Sequence, residues 1–455
     1  MQGRVWAMLL LACVPQVVYV AFIEYREWQW LSFALVIVAS IGWALSVRAL
    51  RACPDVLSFR ALVALITVVG ACMIAFPSRG SNDVFSYAMY GRIVSEHGAN
   101  PYTALPDEFS GDPLFEAVGR RWTHTPSRYG PVFTGLSAVG TALLPGERLP
   151  LRLFFQALTG VGVMTLLILV WRRWRSPAGL AFVGLHPLMM MSVLNGAHND
   201  VFVGLGVFAF VLLLERRQLI WASVALAGAA LVKATALLAV LAAAVWFVSR
   251  RRIRDALVVG SATCGVAFAG MLAVPGCVAA IRAAADLNRN SSIWFPVLLF
   301  ATRPNSFPVH GPHWTVSEVE QFVKTPALAA TVVALCVGAW VFRRRDQSGL
   351  WFVVALGVAT FSVFASWVMP WYLIWALPLM AVARGRVAMM MATHASVLLA
   401  IAQLHGFATT NLNVQSWLLL IIVPWAVILG YGLAIRSDAQ SASDQPERVQ
   451  SERAA

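Results

Sequence analysis

The chain has 455 residues, of which 59% are hydrophobic and only 12% are charged, so most of it cannot form a soluble domain. Its apolar runs approach about 20 residues, the length of a helix that crosses a bilayer, and the alternating pattern of a membrane β-barrel is absent. The net charge of +13 does not indicate a nucleic-acid partner, because the basic residues lie mainly in short loops between apolar runs. Composition therefore predicts an all-α, polytopic transmembrane bundle of about 11 to 14 helices in the cell membrane.

The apolar runs and the loops between them predict the topology of one membrane domain over residues 1–435. Arginine clusters follow alternate runs, which places those loops and both termini in the cytoplasm. A polar tail, 436–455, is predicted to be disordered. The predicted spans are 5–23, 31–50, 60–76, 150–171, 178–194, 200–214, 219–232, 234–249, 256–275, 327–342, 350–368, 371–383, 387–405 and 415–435. The predicted outer loops are 77–131, 195–199, 276–326 and 406–414.

Two apolar segments do not fit a simple crossing. Residues 131–144 are short and are predicted to form a partial or re-entrant helix. Residues 219–249 would be about 46 Å long as one helix, whereas a hydrocarbon core is about 30 Å thick. We therefore predict a break near Lys233.

The outer loop 77–131 holds one acidic residue at the membrane edge, Asp83. We expect Ser81 or Asn82 to cap a short helix over 83–97, with Asp83 in its first turn and Tyr87 and Tyr90 on the same face. The positive end of the helix dipole favours an ionised carboxylate, so the pattern predicts a general base, with helix capping as the alternative role. The membrane side of this helix is predicted to carry Val84, Ala88 and Val94.

A polar run from Asn195 to Asp200 lies where one apolar run ends and the next begins. Hydrogen-bonding side chains at a membrane surface are costly to bury without partners, so this run predicts a wet site. His198, Asn199 and Asp200 are the candidate site residues. Capping of the next helix is the alternative role for Asn199 and Asp200.

Cations on the outer side form a second group of candidates. Lys233 has apolar neighbours on both sides and needs an anion or a watery cavity, unless it snorkels to the surface. The outer loops also carry more arginine than the charge rule predicts, including Arg92 and Arg128. A ligand that bears a phosphate would explain these cations.

Aromatic residues lie in or beside the outer loops, among them Tyr129, Trp371 and Tyr372. Such residues usually anchor a protein at the membrane interface, but some can stack on sugar rings. Together with Tyr87 and Tyr90 they are candidate substrate-binding residues, as is Asp200.

Several kinds of site are not indicated by the sequence. The six cysteines show neither a CxxC pair nor a Cys/His spacing typical of a metal site, so no metal ligand is predicted. No GxGxxG motif or Walker loop is present, which argues against a bound nucleotide or nucleotide sugar. No cofactor is predicted.

Several short motifs together resemble one family of membrane enzymes. These are NDVFSY at 82–87, YGR at 90–92, NPY at 100–102, YGP at 129–131, HND at 198–200, LVK at 231–233 and WYLIW at 371–375. Their order resembles that of the GT-C superfamily of glycosyltransferases that use a polyprenyl-phosphate sugar, especially the actinobacterial alpha-1,6-mannosyltransferases of lipoglycan assembly. The resemblance implies that Asp83 is the catalytic base and that residues around His198 and Lys233 hold the lipid phosphate.

The residue inventory is consistent with such a transfer outside the cytoplasm, from a lipid donor to a glycan or glycolipid acceptor. Phosphate leaves without protonation if cations stabilise it, so one carboxylate is sufficient, whereas glycosidases use two. A single displacement would invert the anomeric centre to give an alpha linkage. The alternatives are a flippase or transporter of a lipid-linked sugar, and a GT-C transferase with another sugar or a protein acceptor.

Overall fold

A computed structural model describes residues 1–23, 28–284, 315–342, 348–365, 369–381, 383, 385–403 and 426–437. Within these ranges the chain forms helices and no strand, as the apolar composition predicts. The α-helices are α1 Gln2–Phe22, α2 Gln29–Ala52, α3 Phe59–Ala75, α4 Asp83–Ser95, α5 Arg120–Thr123, α6 Pro131–Leu143, α7 Arg148–Trp174, α8 Pro177–Gly184, α9 Asp200–Glu215, α10 Leu219–Ala230, α11 Leu238–Ser249, α12 Ile253–Leu272, α13 Cys277–Ala284, α14 Val316–Phe342, α15 Ser348–Phe364, α16 Arg386–Ala402 and α17 Ala426–Ser437.

Four helices of the described residues are long and apolar enough to cross a bilayer: α1, α2, α7 and α12. A fifth span is possible if α8 and a π-helix, Leu188–Leu194, form one crossing with a bend of 43°. Apolar side chains point away from the protein on these and other helices: Val68, Val161 and Leu257 are 61%, 64% and 66% exposed. Such a surface needs hydrocarbon around it, so the predicted membrane helical bundle is confirmed as the fold class.

Helix α4 begins at Asp83, as predicted, and ends at Ser95, slightly before the predicted end of 97. The Ser81 hydroxyl accepts the Asp83 amide at 3.1 Å, while the Asn82 side chain makes no capping bond. One expectation is wrong: Val84 and Ala88 do not face the membrane but are fully buried among neighbouring helices. The backbone of α6 packs so closely on Gly91 of α4 that a Cβ there would lie 2.5 Å from the Ser137 carbonyl oxygen.

The break predicted near Lys233 is present between α10 and α11. Lys233 itself has an extended backbone and precedes a short 3₁₀-helix, Ala234–Leu237. The Gly130 amide donates to the Val232 carbonyl at 2.8 Å, which joins the start of α6 to the broken segment. The start of the segment 131–144 is therefore hydrogen-bonded to the break that contains Lys233.

The contact at Gly130 leaves no space for a side chain. A Cβ at this position would lie 2.2 Å from the Leu231 carbonyl oxygen, so Gly130→Ala should destabilise the protein by about 1–3 kcal/mol. Gly135→Ala is the matched control, because a Cβ there has nothing within 4 Å and the substitution favours the helix. Unfolding of both variants in detergent micelles checks this prediction, and equal stability of the two would contradict it.

Two other predicted segments differ clearly from the structure. The segment 371–383 is not an α-helical span but two 3₁₀-helices, Pro370–Trp375 and Leu377–Met380, because prolines at their first or second positions lack the amide that a continuous helix needs. Helix α14 begins at Val316, well before the predicted 327, and so takes up part of the predicted loop 276–326. Residues 285–314 of that loop, all of 406–414 and all but two residues of the tail 436–455 lie outside the described residues.

Candidate active site

The first turn of α4 meets a polar turn, 195–199, that joins the π-helix to α9. The Asp83 side chain is 15% exposed, and its Oδ2 lies 3.6 Å from Nδ1 of His198, which is 1% exposed. This distance brings the two groups into electrostatic contact but is too long for a hydrogen bond. The structure thus brings together two residues that the sequence predicts to share one site.

His198 is held in place by stacking and is neutral. Its ring lies on the indole of Trp371, with centroids 3.6 Å apart and an interplanar angle of 17°. Burial, and then the positive charge of Lys233, hold the pKa of His198 well below its usual range. A neutral imidazole is a hydrogen-bonding group beside Asp83, not a fixed positive charge.

Lys233 has a carboxylate partner inside the protein. Its Nζ donates to both carboxylate oxygens of Asp200, at 2.9 and 3.1 Å. The indole Nε1 of Trp375 donates to the same carboxylate at 2.8 Å. The ammonium also lies 4.5 Å from the ring centroid of Tyr372. Lys233 therefore does not simply snorkel to the surface, because a buried carboxylate and two aromatic rings surround its head group.

The three candidate tyrosines form one aromatic group behind Asp83. The ring of Tyr87 stands edge-on to that of Tyr129 at 5.0 Å, and the rings of Tyr90 and Tyr129 are 6.4 Å apart. The Tyr90 hydroxyl donates to the Thr125 carbonyl at 2.8 Å. Burial raises the pKa of all three hydroxyl groups, so each remains protonated.

Asn199 is fully buried between these groups. Neither the oxygen nor the nitrogen of its side-chain amide has a hydrogen-bond partner among the described residues. A buried amide in this state calls for a water molecule or a ligand group. Asn199 is therefore a candidate ligand-facing residue, as the sequence predicts.

The structure places the two candidate arginines differently. Arg128 is half-buried with its guanidinium 5.5 Å from the ring centroid of Trp122, and its charge acts on Tyr90, as does that of Asp83. Arg92 lies nine residues after Asp83, which is about 13 Å along α4. There its Nε donates to Asp112 at 2.9 Å, so the structure brings Arg128 but not Arg92 towards the other candidates.

Arg92 instead helps to hold the loop after α4. The buried Asp112 accepts from Arg92, from the Leu114 amide at 2.9 Å and from His97 at 2.9 Å. Burial opposes ionisation of Asp112, but these bonds outweigh it and hold its pKa below the usual value. The cluster is an anchor for the loop on the far end of the helix.

This lowered pKa gives a pH-dependent stability. A carboxyl with a depressed folded-state pKa stabilises the protein above its unfolded value of about 3.9, and this contribution is lost as the pH falls through the folded-state value. We therefore expect the thermal midpoint of the wild type to fall more steeply below about pH 4 than that of Asp112→Asn. Thermal unfolding in detergent over this range is the measurement, and parallel curves for the two proteins would contradict the assignment.

Among the described residues, no three His, Cys, Asp or Glu side chains form a group that could hold a metal ion. The predictions of no metal ligand and no cofactor stay predictions.

Comparison with known proteins identifies the family. Residues 13–250, more than half of the chain, match the family model described as alpha-(1->6)-mannopyranosyltransferase, N-terminal domain. The chain belongs to this family. The matched range of the mannopyranosyltransferase domain includes Asp83, His198, Asp200 and Lys233, and it ends before Trp371.

Two actinobacterial relatives carry the name alpha-(1->6)-mannopyranosyltransferase A. The protein of Corynebacterium glutamicum is 26% identical over 330 residues, which are 64% of this chain and 64% of the relative. That of Mycobacterium tuberculosis is 26% identical over 333 residues, which are 66% of this chain and 61% of the relative. The chain thus aligns with less than two thirds of either relative's length. These matches confirm the predicted resemblance to actinobacterial alpha-1,6-mannosyltransferases.

Two residues that hold the candidate site together are not among the predicted site residues. Asn195 lies within the mannopyranosyltransferase domain, and Trp375 lies after it. The sequence marks Trp375 only as part of a motif, because its bond to Asp200 joins positions 175 residues apart. The sequence marks Asn195 only as part of the polar run, but its side chain is fully buried and makes three hydrogen bonds. Its place in a polar run at the end of an apolar stretch is the signal that could have marked it.

Proposed function

We propose that this protein transfers a mannosyl unit from a polyprenyl-phosphate donor to a glycan or glycolipid acceptor, with formation of an alpha linkage. The observation that carries the proposal is the contact of Asp83 with His198 beside the partly buried Lys233. This arrangement places a base, Asp83, near a cation, Lys233. Displacement of a phosphate by a hydroxyl group requires both. The family match and the names of the two relatives support mannose as the sugar and a 1,6 linkage as the product.

The chemistry assigns a role to each group. The Asp83 carboxylate takes the proton of the acceptor hydroxyl as its oxygen attacks the anomeric carbon, and the bond to the lipid phosphate breaks. The phosphate leaves as an anion, which cations stabilise without an acid catalyst. A single displacement inverts the anomeric centre, so a beta-linked donor gives the alpha product.

Lys233 and Arg128 are the proposed cations for the phosphate. The Lys233 side chain is 16% exposed, and its charge acts on both Asp83 and His198. The same charge would attract a phosphate that lies near Asp83. The charge of Arg128 acts on the Tyr90 hydroxyl, as does the charge of Asp83. Arg92 takes no part in this proposal, because Asp112 holds it at the far end of α4.

The direction of α9 supports an extracytoplasmic site. This helix starts at Asp200 and ends at Glu215, where Arg173 of α7 donates to its carboxylate at 2.6 Å. Its 16 residues span about 24 Å, so the arginine-rich end lies most of a hydrocarbon core away from Asp200. Because arginine-rich loops lie in the cytoplasm, the Asp200 end faces outwards.

A reconstituted transfer reaction tests the proposed function. Purified protein is incubated with polyprenyl-phosphate mannose and an α-1,6-linked mannan oligomer, and the product is examined by linkage analysis. We expect an oligomer longer by one mannose with a new α-1,6 bond. Release of free mannose alone, or movement of the donor lipid across vesicles without transfer, would contradict the proposal, and the latter would favour a flippase.

A further inference from the structure

We infer that Asn195 is a positioning residue that sets the place of Asp83 relative to His198, an inference that rests on the proposed function for its catalytic consequence. Asn195 has no exposed surface. Its Nδ2 donates to the carbonyl oxygens of Met73 and Pro77, each at 2.9 Å, and its Oδ1 accepts the amide of Arg79 at 2.8 Å.

These three bonds span the connection between α3 and α4. Met73 lies in the last turn of α3, while Pro77 and Arg79 belong to the irregular segment that leads to Asp83. Gly80 follows with a φ of +78°, a conformation in which a side chain would be strained. Because the segment has no regular structure of its own, its course depends on side-chain bonds such as these.

The same turn holds both sides of the Asp83 contact. Asn195 fixes the segment before Asp83, and His198, three residues later, lies 3.6 Å from the Asp83 carboxylate. Gly196 between them is tightly enclosed, since a Cβ there would lie 2.3 Å from the Ser192 carbonyl oxygen. A displacement of the turn would therefore move His198 and the approach to Asp83 together.

The turn itself is anchored on α7. The Gln156 amide donates to the Asn195 carbonyl at 2.8 Å. Arg152, one turn earlier, donates to Gln156 at 2.9 Å and also contacts the carbonyl oxygen of Phe76, where α3 ends. A chain of bonds thus runs from α7 through Asn195 to the segment that precedes Asp83.

Asparagine is suited to this position because it both donates and accepts. Leucine has a similar branched shape but would remove the bonds to the Pro77 carbonyl and the Arg79 amide, and would leave the Met73 carbonyl with only a 3.4 Å bond from Gln156. A displacement of about 1 Å at a reacting group can cost about 100-fold in rate. We therefore expect Asn195→Leu to lower kcat by up to about 100-fold, with a smaller change in the donor KM.

Three comparisons separate positioning from a general loss of stability. Gln16→Met is the matched control, because Gln16 is another buried amide that donates to two carbonyl groups, those of Ala12 and Leu185, away from the site. We expect this variant to keep its kcat per folded molecule. Asn195→Leu introduced into the Asp83→Asn protein should add little further loss, because the residue acts through Asp83. An equal fractional loss in both backgrounds would overturn the inference.

Hydrogen exchange of the segment 77–83 gives a readout that does not need transfer activity. The Arg79 amide should exchange faster in Asn195→Leu than in the wild type or in Gln16→Met. If Asn195→Leu does not fold, Gln156→Met is the second variant, because it removes the bond from the Gln156 side chain to the Asn195 carbonyl. It should raise the exchange rate of the Arg79 amide by a smaller factor than Asn195→Leu. Unchanged exchange in a folded Asn195 or Gln156 variant would overturn the inference. The wild type could lack transferase activity while Asn195→Leu still shows faster exchange of the Arg79 amide. This result would refute the proposed function but not the positioning role of Asn195.

Discussion

Asp83→Asn is expected to lower the rate of mannosyl transfer by about 10²- to 10⁴-fold in a protein that still folds and binds the donor lipid. Asparagine has the shape of aspartate but cannot accept the acceptor's proton. The substitution keeps the size of the side chain, and the bond from the backbone amide of this position to the Ser81 hydroxyl does not depend on the carboxylate. The measurement is single-turnover transfer with saturating donor and acceptor, together with donor binding at equilibrium.

A carboxylate elsewhere in the same loop supplies the control for this substitution. Asp107 is partly exposed and pairs with His124 at 2.6 Å, outside the group of residues around Asp83. Asp107→Asn removes the same charge from the same loop, and we expect transfer within about twofold of the wild type, because surface ion pairs contribute little. Transfer by Asp83→Asn at a rate near that of Asp107→Asn would refute the assignment of Asp83 as the base.

The sequence predicts those parts of the fold that depend on length, hydropathy and local capping. The long spans follow from apolar runs that only a helix can satisfy in lipid, and α4 begins where Ser81 can receive the Asp83 amide. The break at Lys233 follows from a helix too long for the bilayer combined with a charge in its middle. Each of these predictions rests on neighbours within a few turns of the chain.

The candidate site is less predictable because its contacts join distant positions. A cation with apolar neighbours indicates an anion, but the sequence does not say whether that anion is Asp200, 33 residues earlier, or a ligand. The excess of arginine in the outer loops predicts a phosphate role for Arg92, but the fold directs its side chain to Asp112. The surroundings of α4 also depend on distant parts of the chain. Its apolar residues suit a membrane surface and a protein interior equally well, so its own sequence does not decide between them.

The pair of Asp200 and Lys233 should carry the largest effect on stability. Asp200→Asn leaves a partly buried ammonium without its fully buried counter-charge, and loss of one partner from a buried pair costs about 3–5 kcal/mol. We expect this loss for Asp200→Asn and for Lys233→Met, measured by unfolding in mixed detergent micelles. The matched control is Glu215→Gln at the other end of α9, where the partner Arg173 is 32% exposed and the loss should be about 1 kcal/mol or less.

The double variant Asp200→Leu/Lys233→Met separates stability from donor binding. Removal of both charges leaves no uncompensated ion, so the double variant should be much more stable than the sum of the single losses predicts. Donor affinity should not recover with stability, because the cation proposed to face the phosphate is absent. Additive losses of stability would show that the two residues do not act as a pair. Recovered stability with normal donor affinity would leave Lys233 as the partner of Asp200 alone and would assign the phosphate to Arg128, whose charge acts on Tyr90 as that of Asp83 does.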